Sequence, residues 1–360
     1  MKKKLTLALA LAMMLSAMTG CAGTKTETDD TENQVQTETE DKTATTPETE
    51  IPALPEATLT DADNRVVMTV GGNDVSYATF RYYLLNLKAQ YGDSDMDLLV
   101  NTTEDAITEY VAAKVLADEL GLSLPADIKK TYVDDPIAQT IEAYNNDANT
   151  SYEAELERYY MTDKLFRDVQ ENMLLQSYTF QEKYSEGKEF CTVTDEEILD
   201  YINENFVRVK HILIQTMDLD EAEKASKRAL VDSILEKAKS GEASFEDLVT
   251  EYSEDGMNVD TGYYFTYGEM VPEFEAKSFE LEVGEISDIV ESTYGYHIIK
   301  KYEMEDEYIL NDQTIRTTAV NTLAGDVYMA ELVKKAATLE TVYAADYNEA
   351  VNEILSEDAE

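Results

Sequence analysis

The sequence predicts an α+β fold, in which a mixed module of strands and helices is attached to a mostly helical body. Two patterns carry that reading. Between Val207 and Tyr302, short apolar runs alternate with amphipathic stretches in the order strand, two helices, strand, helix, strand, strand. That order suits helices covering an antiparallel sheet. On either side of the module, apolar residues recur mainly at helical spacing. The 360-residue length leaves room for two domains once an N-terminal stretch of low apolar content is set aside.

Lys2, Lys3 and Lys4 precede an apolar run from Leu5 to Leu15, and small residues lead to Thr19-Gly20-Cys21. The run is too short to cross about 30 Å of hydrocarbon, so residues 1–20 read as an export signal. Cys21 after small residues resembles the bacterial lipoprotein signal, with Met18 where leucine is usual. The resemblance implies a lipidated Cys21 and a protein anchored on the extracytoplasmic face of the membrane of a Gram-positive-type bacterium. Residues 21–64 are rich in Thr, Glu, Asp and Pro. They cannot bury enough apolar surface to offset ordering entropy, which predicts a disordered acidic tether extended by charge repulsion. Cys191 is the only other cysteine. With Cys21 lipidated, no intrachain disulfide can form and stability must come from packing. A formal net charge of -46 argues against nucleic acid and against docking on anionic lipid. It suits basic or weakly folded clients, or simple solubility. No acidic spacing resembles a calcium loop.

The N-terminal domain, residues 65–204, opens with two short strands, Val66–Val70 and one at Val75, joined by a Gly71-Gly72-Asn73-Asp74 turn. Ser76 is placed to cap a helix with Phe80, Tyr83, Leu84, Leu87 and Tyr91 on its apolar side. A second helix is predicted from about Thr103 to Glu119, ended by Gly121, and further helices over 135–145, 152–175 and 176–184. Thr194 and Glu197 form a capping box for a helix through Asn203. Residues 304–360 read as a C-terminal helical segment, with a helix over 317–338 that needs a face to bury against. Folding back onto the N-terminal domain supplies one.

Within the module, a strand runs from Val207 to about Thr216, followed by helices over 219–239 and 244–252. A loop at 253–260 precedes a strand at Gly262–Thr266. Val271-Pro272-Glu273-Phe274 opens a helix through Phe279, and Ile286–Val290 and Tyr296–Tyr302 are the last strands. The chain's two histidines, His211 and His297, both fall in strands of this module.

Gly268-Glu269-Met270-Val271-Pro272-Glu273-Phe274, Ser278-Phe279, Val283-Gly284-Glu285-Ile286-Ser287 and Tyr294-Gly295-Tyr296-His297-Ile298-Ile299-Lys300 make an ordered series. With the opening His211-Ile212-Leu213, it resembles the parvulin-type peptidyl-prolyl isomerases from about Phe206 to Tyr302. The resemblance implies a four-stranded antiparallel sheet covered by helices, here residues 205–303, and isomerisation of X–Pro bonds without a cofactor. The export signal and the Val-Gly-Gly-Asn region resemble PrsA-type foldase lipoproteins and the SurA-like chaperone domain. That implies unfolded or partly folded exported chains as partners, with both monomer and homodimer open.

The same resemblance assigns His211 and His297 as the paired central histidines, joined ring to ring, and Asp255 as the acidic group beside the rotating bond. Met270 and Phe274 match the proline pocket, Ser292 is placed to orient a histidine, and Tyr294 replaces a smaller hydroxyl residue. The chain departs from the pattern at Asp260-Thr261-Gly262-Tyr263-Tyr264-Phe265, which is shorter than usual and lacks the leucine that helps wall the pocket. Tyr263 or Tyr264 is available to replace it. The alternative is a holdase chaperone that uses the parvulin fold only to grip peptide. Zinc is disfavoured, since no cysteine or ordered carboxylate spacing completes a ligand set with the two histidines. The absence of a basic cluster argues against selection for phosphorylated substrates.

Overall fold

The computed structural model describes residues 54–55, 57, 62–92, 95–146, 150–256 and 260–357. The export signal, Cys21 and most of the acidic tether lie outside the described residues. β1 (Val66–Val70) and β2 (Asn73–Ser76) form an antiparallel hairpin. Its turn residues Gly71 and Gly72 sit at φ 54° and 78°, a left-handed pair that glycine adopts without strain. Ser76 accepts from the Thr79 N–H and starts α1 (Tyr77–Tyr91). α2 (Met96–Glu119) begins earlier than the spacing around Thr103 indicated, because Asp95 caps it by accepting from the Leu98 N–H.

α3 (Ala126–Lys129) passes through a π-helical turn at Lys130–Asp134 into α4 (Asp135–Asn145). The expected helix over 152–175 is two, α5 (Tyr152–Glu157) and α6 (Asp163–Lys183). The break falls at Tyr160, whose φ of 57° is not helical, and the Met161 N–H bonds back to the Leu156 carbonyl. α7 (Asp195–Asn205) carries the expected Thr194–Glu197 capping box.

β3 (Val207–Gln215) is followed by α8 (Glu221–Ser240), α9 (Phe245–Tyr252), β4 (Tyr263–Phe265), α10 (Pro272–Glu280), β5 (Val290–Glu291) and β6 (Gly295–Tyr302). α8 starts with a second capping box, Asp220 with Glu223, and ends at Gly241 in the left-handed region. The four strands make an antiparallel sheet in the order β4-β3-β6-β5. The strand expected at Ile286–Val290 is shorter and later: Ile286 makes only an isolated bridge to Lys300. α11 (Asp306–Asn311) and α12 (Gln313–Ala336) follow, then β7 (Thr341–Tyr343) and α13 (Tyr347–Glu357).

The described residues fall into two compact units, one running to Thr179 and resuming at Ala330, the other Phe180–Met329. The second unit is wider than the 205–303 module the sequence outlined. Ile198, Ile202 and Phe206 bury against Ile309, Ile315, Ala319 and Val320, so α7, α11 and the first part of α12 share one core. The C-terminal segment, expected to fold back whole onto the N-terminal domain, is therefore divided between the two units. Its later part belongs to the first unit, where β7 pairs with β1 in a three-stranded sheet, order β2-β1-β7. There α13 buries Ala350, Val351 and Ile354 in a core with Val67, Phe80, Leu84 and Ile107. Each large apolar side chain buried this way contributes roughly 1.5–3 kcal/mol. Among the described residues, no helix is long and apolar enough to cross a membrane.

β3 is covered on both faces, and its period of two sorts the residues. Ile212 and Ile214 join Val231, Ile234, Leu248 and Ile298 under α8 and α9. Val207 and Val209 join Phe265, Phe274, Leu281 and Ile299 on the other face. His211 continues that second row.

Candidate active site

Register brings the two histidines together. His211 opposes Ile299 and His297 opposes Leu213 across β3 and β6, so the imidazoles are diagonal neighbours on one face. Gly295 lets the strands close: a Cβ there would lie 2.2 Å from the Ile214 carbonyl oxygen. The rings stack with centroids 5.4 Å apart and an 11° angle between planes. Their Nδ1 atoms are 3.2 Å apart. His211 Nε2 lies 2.7 Å from Asp255 Oδ2, and His297 Nε2 lies 2.7 Å from Ser292 Oγ.

Burial pushes both imidazoles toward the neutral form. Desolvation lowers the pKa of His211 against the opposing pull of Asp255. For His297, desolvation and then the neighbouring His211 bring the value down to about 4. With both rings neutral, an ionised Asp255 fixes every proton, because a carboxylate only accepts. His211 donates from Nε2 to Asp255, His297 donates from Nδ1 to His211 Nδ1, and Ser292 donates from Oγ to His297 Nε2. All four ring nitrogens are thereby engaged. None is left to exchange a proton with a bound peptide.

Asp255 is held from behind. The Glu254 N–H donates to the Leu213 carbonyl at 2.7 Å, and Ser253 Oγ accepts from the Leu213 N–H. The Glu254 carboxylate accepts from the Gln215 N–H and pairs with Lys227 of α8. These contacts lay residues 253–255 along β3 almost as a further strand. Phe274, from the first turn of α10, is 3% exposed and sets its ring 4.9 Å from His211 and 5.3 Å from His297. Half-buried Met270 packs on the same apolar cluster. Glu275 secures the preceding turn by accepting from the Gly268 and Met270 N–H groups.

Residues 211–303 match the Rotamase family model, described as a PPIC-type PPIASE domain. This stretch is a parvulin-type domain. The chain is also similar to Foldase protein PrsA of Halalkalibacterium halodurans, at 38% identity over 35% of this chain and 37% of that protein. Foldase protein PrsA of Bacillus subtilis is 35% identical over 42% of this chain and 47% of its own length. That of Caldanaerobacter subterraneus is 28% identical over 69% of this chain and 80% of its own length. The chain thus spans under half the length of the first two relatives.

Within the parvulin-type domain, the structure brings together His211, His297, Asp255, Phe274, Met270, Ser292 and Tyr263. It separates two residues the sequence had placed with them. Tyr264 alternates onto the opposite face of β4, where it stacks on Tyr308 at 4.8 Å and lies under the Arg208 guanidinium. Tyr294 is exposed at the turn before β6, and what it offers the network is its backbone N–H, donated to Ser292 Oγ at 3.1 Å. The supports Ser253 and Glu254 went unread in the sequence, since a Ser-Glu-Asp loop carries no signal for side chains that mimic a strand's hydrogen bonds.

Proposed function

We propose that this protein is a peptidyl-prolyl cis–trans isomerase and foldase. It acts on unfolded or partly folded exported chains outside the cytoplasmic membrane, held there by a lipid on Cys21. The observation that carries the reading is the convergence of Phe274 and Met270 with Asp255 around an imidazole pair whose nitrogens are all occupied. The relatives named Foldase protein PrsA support the same activity.

Rotation about a peptide bond faces a barrier of about 18–20 kcal/mol, set by amide resonance. No bond breaks, so neither nucleophile nor cofactor is needed. Met270 and Phe274 offer a thioether and an aromatic ring to the proline ring, taking it out of water. A carboxylate at Asp255, beside the carbonyl preceding proline, disfavours the negative charge that resonance places on that oxygen. The C–N bond loses double-bond character and the twisted transition state is favoured over the planar ground state. The histidine pair holds Asp255 in place and keeps the floor of the site neutral.

A protease-coupled proline-peptide assay on the purified chain tests the enzyme reading. A rate at the uncatalysed background from folded protein would remove it. A pure holdase would instead suppress client aggregation whether or not His211 and Phe274 are intact. Mass spectrometry of the N-terminal fragment from membranes tests lipidation at Cys21.

A further inference from the structure

We infer that Tyr263 is a positioning residue of the isomerase site, acting through its hydroxyl on Asp255. The inference rests on the isomerase reading and extends it to the place where this chain departs from the family's loop. The Tyr263 hydroxyl donates to Asp255 Oδ2 at 2.6 Å, the same oxygen that His211 Nε2 approaches to 2.7 Å. Its ring meets His211 edge-on, with centroids 5.4 Å apart. Two donors therefore converge on one carboxylate oxygen from two sides, fixing the direction of its charge.

The residue is well anchored for that purpose. Tyr263 opposes Val209 in the β3–β4 register. Gly262 ahead of it takes φ 79°, and a Cβ there would come within 2.7 Å of the Val209 carbonyl oxygen. Glycine is thus what lets β4 approach β3 closely enough for the hydroxyl to span to Asp255. Burial, followed by the Asp255 contact, pushes the Tyr263 hydroxyl well above its ordinary pKa, so it stays a donor throughout the working range. Leucine at this side of the site would supply a wall alone; tyrosine supplies the wall and a tether for the carboxylate.

The test is a cycle of Tyr263→Phe, Asp255→Asn and the double variant in the full chain. Tyr263→Phe keeps the ring and removes the donor. Loss of one charge-assisted hydrogen bond should lower kcat about tenfold, with KM changed less than about twofold. In the Asp255→Asn background the same change should have no further effect. Wild-type kcat in Tyr263→Phe, or an equal loss in both backgrounds, would overturn the inference. Nitrogen-15 shifts of His211 supply a readout independent of turnover. They should move in Tyr263→Phe, and unchanged shifts would sink the inference even if the protein proved to have no isomerase activity.

Discussion

Ser292 Oγ sits 2.7 Å from His297 Nε2 and closes the far end of a hydrogen-bonded row that begins at Asp255. Removing that hydroxyl strands an acceptor on a buried ring. Ser292→Ala should cost about 1–3 kcal/mol of stability, the usual penalty for leaving a buried polar atom unpaired. Urea unfolding measures it, and Ser292→Thr should restore most of the loss. An alanine variant as stable as the parent would mean that water or another donor reaches the ring instead.

The depressed affinity of His297 for protons has a direct consequence for stability against pH. As pH falls below the ordinary histidine value of 6.5, the unfolded chain takes up a proton at this position. The folded chain resists doing so until about 4. The unfolded state therefore binds more protons in that window, and stability falls as pH falls. His297 alone should account for a loss of about 2 kcal/mol between roughly pH 7 and pH 5, and His211, shifted the same way, adds to it. Denaturant titrations at several pH values, repeated on His297→Gln, should show a visibly flatter slope in the variant. Equal slopes would place the acid sensitivity elsewhere.

Much of this site was legible in the sequence because parvulin motifs tie residue types to strand positions. His211 and His297 lie in apolar strand runs whose pairing is forced by burial on both faces, so their meeting follows from register. What stayed hidden depended on side-chain direction. Tyr263 and Tyr264 are equivalent as letters, and only the pairing of Tyr263 with Val209 decides which of them faces His211. The helix break at Tyr160 was hidden for a related reason, since neither glycine nor proline marks it. β7 escaped notice because three residues are too few to show a period, and its pairing partner β1 is remote in sequence.

The outward turn of Tyr264 yields a prediction opposite to that for its neighbour. Its hydroxyl is buried and has no hydrogen-bond partner at bonding distance among the described residues, although its ring stacks on Tyr308 and lies 5.4 Å from the Arg208 guanidinium carbon. Tyr264→Phe removes an unsatisfied polar atom and keeps the stack. It should leave stability unchanged or raise it by up to about 1 kcal/mol, with turnover at the parent level. Thermal unfolding and the peptide assay check both halves. A loss of kcat would mean that Tyr264 reaches the substrate after all.

Phe274 is the hinge of the apolar side of the site, because one ring touches both imidazoles and also lies 5.8 Å from Phe265. Phe274→Ala would open a cavity beneath the histidines and cost about 3–5 kcal/mol, enough to confuse lost folding with lost function. Phe274→Leu is the cleaner probe: it keeps most of the volume at a cost of about 1–3 kcal/mol while removing the aromatic face. With folding verified by circular dichroism, its kcat/KM should fall at least about tenfold, since the ring is what the proline would pack against in the transition state. Cys191→Ser is the matching control. Cys191 packs at the edge of the α7–α11 core, away from this cluster, and its replacement should leave turnover unchanged. Parent-level activity in Phe274→Leu would move the proline-binding surface off this face of the sheet.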